Sequence, residues 1–195
     1  MNITSAFSQD QKFFSIQELK ESGLSQYQIR KLVNTRILVK LNKTYYENTN
    51  YHGEESDFYY VNVYAPNGVI CLLSAAVYYH LTTYIPDTID VAIPRKAAIS
   101  THPDYPQFSI HYFTDARYSL GICNITEGTN HFKIYDIEKT VTDIVFYREK
   151  IGISETKEIL TTYLKSHNRN LNKLLKYAEL TKCGKPMRQY LEMLV

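Results

Sequence analysis

Basic, amide and aromatic side chains recur along residues 25–34 at the spacing of one helix face. The spacing i, i+3, i+4, i+7 places four of them on a single arc: Tyr27, Arg30, Lys31 and Asn34. Cations bind phosphates or guanine edges, and an asparagine amide can read adenine, so this arc has the chemistry that the DNA major groove requires. A solvated helix face with ordinary charges would have the same composition, and the pattern alone leaves both interpretations open.

Two short helices are predicted to position this arc. Ser15 with Glu18 has the form of a capping box, and Gly23 suits the end of that helix because glycine adopts the left-handed conformation. Ser25 with Gln28 forms a second capping box two residues later. Two helices that meet at so tight a turn predict a helix-turn-helix.

A β-hairpin is predicted directly after the second helix. Residues 37–41 alternate, Asn42-Lys43 can turn, and residues 44–46 return. A hairpin there corresponds to the wing of a winged helix-turn-helix, and Lys40 and Lys43 lie on or near its tip, where wings contact the phosphate backbone. We therefore predict double-stranded DNA as a partner. Its predicted contacts are Gln26, Tyr27, Arg30, Lys31, Asn34, Arg36, Lys40 and Lys43.

Charge is unevenly distributed along the 195-residue chain, whose formal net charge is +2. Residues 1–48 carry seven basic and four acidic side chains, residues 49–149 carry six and twelve, and residues 150–195 carry nine and four. Basic ends suggest that nucleic-acid contacts use the two ends. The acidic middle could equally dock a basic part of another chain, and solvated helices explain the C-terminal excess as well.

The cellular location is predicted from cysteines and apolar runs. The three cysteines form no CxxC pair, and an odd number argues against a disulfide framework. The N-terminus has no basic-then-apolar signal pattern, and no apolar run approaches 18 residues. We therefore expect a cytoplasmic protein with no membrane partner.

The chain is predicted to be α+β and to divide into two domains. A winged domain covers residues 1–48, with its first helix within residues 1–12, and residues 49–57 form a polar linker. An α+β domain follows over residues 58–195, beginning with a segment at 58–64 whose periodicity fits a strand or a helix.

The second domain is predicted to combine a small antiparallel sheet with helices packed against it. A helix is expected over residues 69–81, ending near a partly buried His80, and several helices follow Asp136, with Ser154 as a cap and Gly184 as a stop. The predicted strands are residues 89–93, 108–113, 122–125 and 131–134.

No catalytic residue, metal site or cofactor is predicted. No two histidines lie at i, i+4 with a nearby carboxylate, as a zinc site would require. Residues 155–157 have the Glu-x-Lys form of some nucleases, but a first-turn Glu is explained by the helix dipole. Of the acids near residue 140, Asp136 is interpreted as a helix cap, Glu138 as a surface charge and Asp143 as structural.

The order of four segments resembles the AbiEi-type antitoxins of type IV toxin–antitoxin and abortive-infection systems. They span most of residues 14–195. Each is degenerate alone, and their order and spacing carry the likeness. The segments are SIQELKESGLSQYQIRKLVNTRILVKLNKTYYE, GVICLLSAAVYYHLTTYIPDTIDVAIPR, YDIEKTVTDIVFYREKIG and LNKLLKYAEL.

The resemblance implies a winged domain that represses its own operon at inverted repeats. It also implies a C-terminal domain that counteracts an AbiEii-like nucleotidyltransferase toxin, encoded just downstream, during phage defence, without a tight complex being required. The family's wing turn usually carries glycines, whereas this chain has Asn42 and Thr44, and asparagine tolerates the left-handed conformation. Two alternatives stay open, a winged-helix regulator with a ligand-sensing C-terminal domain and a nucleic-acid-processing enzyme.

Overall fold

A computed structural model describes residues 10–99 and 101–194, which form a mixed α+β structure. The first helix predicted within residues 1–12 falls almost entirely outside the described residues. Within them, no helix has the length and apolar character that crossing a bilayer demands.

The N-terminal part joins two short helices to a three-stranded antiparallel sheet of strand order β1-β3-β2. Its core contains Leu19 from the first helix, Ile29 and Leu32 from the second, and Leu38 from the hairpin. The elements are β1 (Phe13–Ser15), α1 (Ile16–Glu21), α2 (Gln26–Asn34), β2 (Leu38–Lys40) and β3 (Tyr45–Asn48).

Both predicted capping boxes are confirmed. The Ser15 hydroxyl accepts from the Glu18 amide at the start of α1, and the Ser25 hydroxyl accepts from the Gln28 amide at the start of α2. In each box the side chain of the second residue accepts in return from the main-chain amide of the serine. Gly23 follows α1 with a φ of 87°, the left-handed conformation that glycine adopts most easily. These local bonds fix the start of α2 and therefore the direction of its outer face.

Residues 59–135 build the second sheet. The segment at 58–64, left open between strand and helix, is helical. The elements are α3 (Tyr59–Tyr64), β4 (Val69–Ile70), α4 (Leu72–Tyr78), β5 (Ile89–Pro94), β6 (Phe108–Phe113), α5 (Asp115–Tyr118), β7 (Ile122–Glu127) and β8 (Asn130–Tyr135).

The predicted antiparallel sheet is wrong, because the described strands form a mixed sheet of order β6-β5-β4-β8-β7. β5 pairs in parallel with β6, and β4 pairs in parallel with β8, while β4–β5 and β7–β8 are antiparallel. The reason is the long connection between β5 and β6, which returns the chain to the same end of the sheet before β6 begins.

The helix predicted over residues 69–81 is also partly wrong. Val69 and Ile70 form β4 in the middle of the sheet, and the helix begins only at Leu72. β-branched residues that are buried on both sides favour a strand, which periodicity over so few residues cannot distinguish from a helix. His80 is exposed with a φ of 54°, so its predicted partial burial is wrong as well.

The C-terminal helices cover one face of this sheet, and α3 lies against the other. α6 is central, because it contacts α4, α8, α9 and α10. The elements are α6 (Ile137–Phe146), α7 (Arg148–Ile151), α8 (Ile153–Lys165), α9 (Leu171–Leu180) and α10 (Gly184–Leu194).

Three predictions about these helices need correction. Glu138 is a buried residue and not a surface charge, because Lys173 pairs with it at 3.1 Å and Tyr163 donates to it. The residue preceding α8 is Gly152, so Ser154 lies inside that helix. Gly184 begins α10 and does not end α9, whose last residue is Leu180.

Candidate nucleic-acid interface

A groove of about 300 Å³ lies between the exposed side of α2 and the β2–β3 hairpin. Five of the eight predicted DNA-binding residues line it, and all five are exposed. Three come from α2 at spacing i, i+4, i+8, and two come from the hairpin. They are Gln26, Arg30, Asn34, Lys40 and Lys43.

The remaining three predicted residues are exposed but do not line this groove. Tyr27 and Lys31 follow Gln26 and Arg30 by one residue, so they project about 100° further around α2. The ring of Tyr27 is 78% exposed. Arg36 lies in the turn after α2, with a left-handed φ of 58°.

The packing of α2 explains which side chains face outward. Ile29 and Leu32 are nearly fully buried against Leu19 and Leu38. Since α2 presents this side to the core, its opposite side is directed outward. The predicted division of the helix into an apolar and a polar face is therefore confirmed.

The groove is basic because three cations line it and no acidic residue of the described chain does. Arg30, Lys40 and Lys43 also have no acidic side chain within 4.0 Å among residues 10–99 and 101–194. Cations that no internal carboxylate neutralises are free to bind an external anion. Together with the amides of Gln26 and Asn34, they provide donors for phosphates and for base edges.

The side chain of Asn42 shapes the hairpin turn, a role that the sequence reasoning missed. Its Oδ1 accepts from the amides of Thr44 and Tyr45, both at 2.8 Å. Asn42 does not adopt the left-handed conformation that asparagine tolerates, and the turn is closed by the bonds to its side-chain oxygen. The Asn-x-Thr order was the available signal, since asparagine commonly bonds the backbone two residues on.

The groove is held in place by contacts between the hairpin and α3. The Asn42 Nδ2 donates to the carbonyl of Val63 at 3.1 Å, and the Tyr64 hydroxyl donates to the carbonyl of Leu41 at 3.3 Å. The Tyr60 hydroxyl donates to Glu47 on β3. These bonds join the candidate interface to the first helix after the predicted linker.

The predicted linker itself contributes an ion pair. Lys12, whose side chain is only 6% exposed, pairs with Glu55, and Glu47 lies 3.9 Å away. The Lys12 ammonium also lies 5.1 Å from the centre of the Tyr60 ring. The buried Lys12 therefore neutralises Glu55 and lies near Glu47, next to β1 and the predicted linker.

The described ranges contain no group of three His, Cys, Asp or Glu side chains that could hold a metal ion. All three cysteines are free.

No family model matches this chain, and no curated protein matches it. Among solved structures, the chain is similar to the crystal structure of the RV2827C protein from Mycobacterium tuberculosis. That similarity has a TM-score of 0.48 and 13% identity, and it covers 94% of this chain and 76% of that chain. A likeness of this strength supports no conclusion about function.

Proposed function

We propose that this protein is a DNA-binding regulator whose N-terminal part acts as a winged helix-turn-helix. In this proposal α2 is the recognition helix and the β2–β3 hairpin is the wing. The observation that carries it is the convergence of Arg30 and Asn34 with Lys40 and Lys43 on one basic groove. A recognition helix and a wing must approach the same stretch of duplex, and this arrangement meets that requirement.

The conformation of Arg36 supports the same proposal. Glycine is the usual residue where a helix ends in the left-handed conformation, yet this chain has an arginine there. A non-glycine residue in that conformation costs about 1–2 kcal/mol. Residues held in such conformations cluster at functional sites, and a cation beside the recognition helix suits a phosphate contact.

Binding to the DNA upstream of the gene tests this proposal. Fluorescence anisotropy would compare that DNA with a scrambled duplex of equal length. Asn34→Ala should weaken binding to the specific DNA alone, by about 1–3 kcal/mol, because it removes a base contact. Lys43→Ala should weaken binding to both duplexes, because it removes a phosphate contact. Lys20→Ala, on the exposed side of α1, is the matched control.

The proposal fails if Arg30→Ala combined with Asn34→Ala leaves both affinity and discrimination between the duplexes unchanged. It also fails if the Lys20→Ala control lowers affinity as much as Lys43→Ala does, because charge alone and not the groove would then explain binding.

We further propose that the protein is an antitoxin, repressing its own operon and counteracting an AbiEii-like toxin during abortive infection. This part rests on the resemblance of the four sequence segments to AbiEi-type antitoxins. The remainder of the chain, residues 58–195, would carry the antitoxin activity. In this part, α6 packs against α4 and against the C-terminal helices α7, α8, α9 and α10.

Growth of cells that express the gene immediately downstream tests the antitoxin proposal. That gene should arrest growth, and the full chain should restore it. The full chain with Arg30→Ala and Asn34→Ala should also restore growth, because counteraction of the toxin would not use the DNA groove. A harmless downstream gene, or continued arrest in the presence of the intact chain, contradicts the proposal.

A further inference from the structure

A cavity of about 370 Å³ lies in the second part of the chain, far along the sequence from the basic groove. It is bounded by the start of α4, by β5 and β6, and by the junction of α7 with α8. Its volume is in the range of pockets that hold small molecules. Neither the proposed DNA binding nor the packing of the C-terminal helices requires this cavity.

The polar wall of this cavity contains an acid–imidazole pair. Asp90, on β5, is only 9% exposed, and its Oδ1 lies 2.8 Å from Nε2 of His111 on β6. The Asp90 Oδ2 accepts from the amide of Ser74 at 3.4 Å. These bonds fix the orientation of the carboxylate, so the cavity has a preformed acidic group at its wall.

Two further charged residues line the cavity and have no hydrogen-bond or ion-pair partner within the described part of the chain, while the Lys150 ammonium lies 6.0 Å from the centre of the Tyr147 ring. Glu155 comes from the first turn of α8, and Lys150 comes from α7. Neither side chain makes a hydrogen bond or a salt bridge there. The cavity therefore has two carboxylates, of which that of Asp90 is already paired with His111, and one ammonium group, that of Lys150.

The rest of the lining is apolar or aromatic. Leu72 and Leu73 contribute from α4, and the rings of Tyr84 and Tyr147 line it as well. Tyr84 is 49% exposed, so a bound molecule would cover apolar surface that now contacts solvent. The hydroxyls of these tyrosines donate no hydrogen bond to other described residues.

The backbone at Leu72 is a second, independent sign of a binding site. Leu72 has a φ of 45°, a conformation that a branched, non-glycine residue adopts only when its surroundings impose it. Such outliers cluster at sites that hold ligands. The strained residue lines the same cavity as Asp90 and Glu155.

We infer that this cavity binds a small zwitterion, an α-amino acid with an apolar or aromatic side chain. Its ammonium group would bind the carboxylates of Asp90 and Glu155, and its carboxylate would bind Lys150. Its side chain would lie against Leu72 and Tyr84. A nucleotide fits less well, because two carboxylates repel a phosphate, and a simple amine would leave Lys150 unmatched.

Isothermal titration of the full chain tests the inference with four probes and a fifth, leucine, for comparison. The four are phenylalanine, phenethylamine, which lacks the carboxylate, N-acetylphenylalanine, which lacks the ammonium group, and adenosine monophosphate. Phenylalanine should bind, and the loss of either charge should weaken binding about tenfold or more, the effect of one charged hydrogen bond. Leucine serves as a second apolar amino acid.

Substitutions test which side chain of the cavity binds each charged end of the ligand. Lys150→Met should remove the preference for phenylalanine over phenethylamine, whereas Lys157→Met, an exposed lysine on α8, should preserve it. Glu155→Gln should weaken phenylalanine binding about tenfold. Glu192→Gln, on the exposed side of α10, should leave it unchanged.

Three outcomes overturn the inference. The first is the absence of saturable binding of phenylalanine and leucine up to about 10 mM. The second is phenethylamine binding as tightly as phenylalanine to the unaltered chain. The third is adenosine monophosphate binding more tightly than either amino acid. None of these results bears on the basic groove, so the DNA-binding proposal is tested separately.

Discussion

The Nδ2 of Asn42 donates to the main-chain carbonyl of Val63 at 3.1 Å, and this bond joins the tip of the β2–β3 hairpin to α3. The same side chain closes the hairpin turn through its Oδ1. One residue thus sets both the shape of the turn and its attachment to the rest of the protein. Lys40 and Lys43 flank it, so their positions depend on it.

Asn42 should therefore affect both stability and DNA binding. Asn42→Asp keeps the turn acceptor but loses the donor to Val63, and it should lower the free energy of unfolding by about 1 kcal/mol. Asn42→Ala loses both functions and should cost about 2 kcal/mol. Urea unfolding measures both values. Asn42→Ala should also weaken DNA binding, because Lys40 and Lys43 would lose their fixed placement.

The control is Asn124→Ala, an exposed asparagine on β7. If Asn42→Ala is no more destabilising than this control, Asn42 does not hold the hairpin in place. If Asn42→Ala is clearly destabilised but binds DNA with normal affinity, DNA binding does not depend on the hairpin turn.

Asp143 should be among the most sensitive positions of the fold. Its side chain is 1% exposed, and it pairs with both Lys139 and Arg117. Burial lowers the pKa of Lys139, and the Asp143 carboxylate opposes that shift. Asp143→Asn would leave two buried cations without a counter-charge, so it should lower the free energy of unfolding by about 3–5 kcal/mol.

Denaturant unfolding tests this value against an exposed ion pair. Arg188 and Glu179 form a salt bridge with side chains more than half exposed, so Arg188→Ala should cost less than about 1 kcal/mol. Equal effects of Asp143→Asn and Arg188→Ala would contradict the structural role assigned to the buried cluster.

A comparison of the capping box at the start of α1 with the buried Glu138 shows which contacts can be predicted from the sequence. Ser15 and Glu18 lie three residues apart, so their capping box follows from local sequence alone. Glu138 binds the amide of Asn170, 32 residues away. No local pattern distinguishes such an acid from a surface charge, which is why the prediction of a surface charge at Glu138 is wrong.

The same limit applies to the sheet and to the basic groove. β4 has only two residues and is defined by its pairing with β5 and β8, a long-range relationship that periodicity does not contain. Helix periodicity identified the outward side of α2 correctly. It could not show that Gln26, Arg30 and Asn34 share a groove with the hairpin lysines while Tyr27 does not, because that depends on tertiary packing.

Alkaline pH should destabilise the protein through its buried tyrosines. Burial raises the pKa of Tyr135 above its ordinary value of 10.0, and the same cause acts on Tyr59 and Tyr163. The folded state therefore keeps protons that the unfolded state loses. The stabilisation is fully present below pH 10.0 and is lost as the pH rises above it, at about 1.4 kcal/mol per pH unit for each such tyrosine.

Tyr135→Phe isolates one of these contributions. The variant loses the bond from the Tyr135 hydroxyl to the Tyr118 carbonyl, so it should be less stable by about 1 kcal/mol at pH 8. Its stability should then fall less steeply above pH 10 than that of the unaltered chain. The lowered pKa of Lys139 acts in the opposite direction but is common to both proteins. Identical slopes for the variant and the unaltered chain would refute the assignment, and the exposed Tyr112→Phe is the control.

The salt dependence of binding to the DNA upstream of the gene tests the central claim most directly. The logarithm of the binding constant should fall linearly with the logarithm of the salt concentration. Lys40→Ala combined with Lys43→Ala should reduce the magnitude of that slope by about 2, one for each lost phosphate contact. Lys20→Ala combined with Lys157→Ala, at exposed positions away from the groove, should leave the slope unchanged. Equal slopes for the unaltered chain and the Lys40/Lys43 variant would contradict DNA binding through this groove.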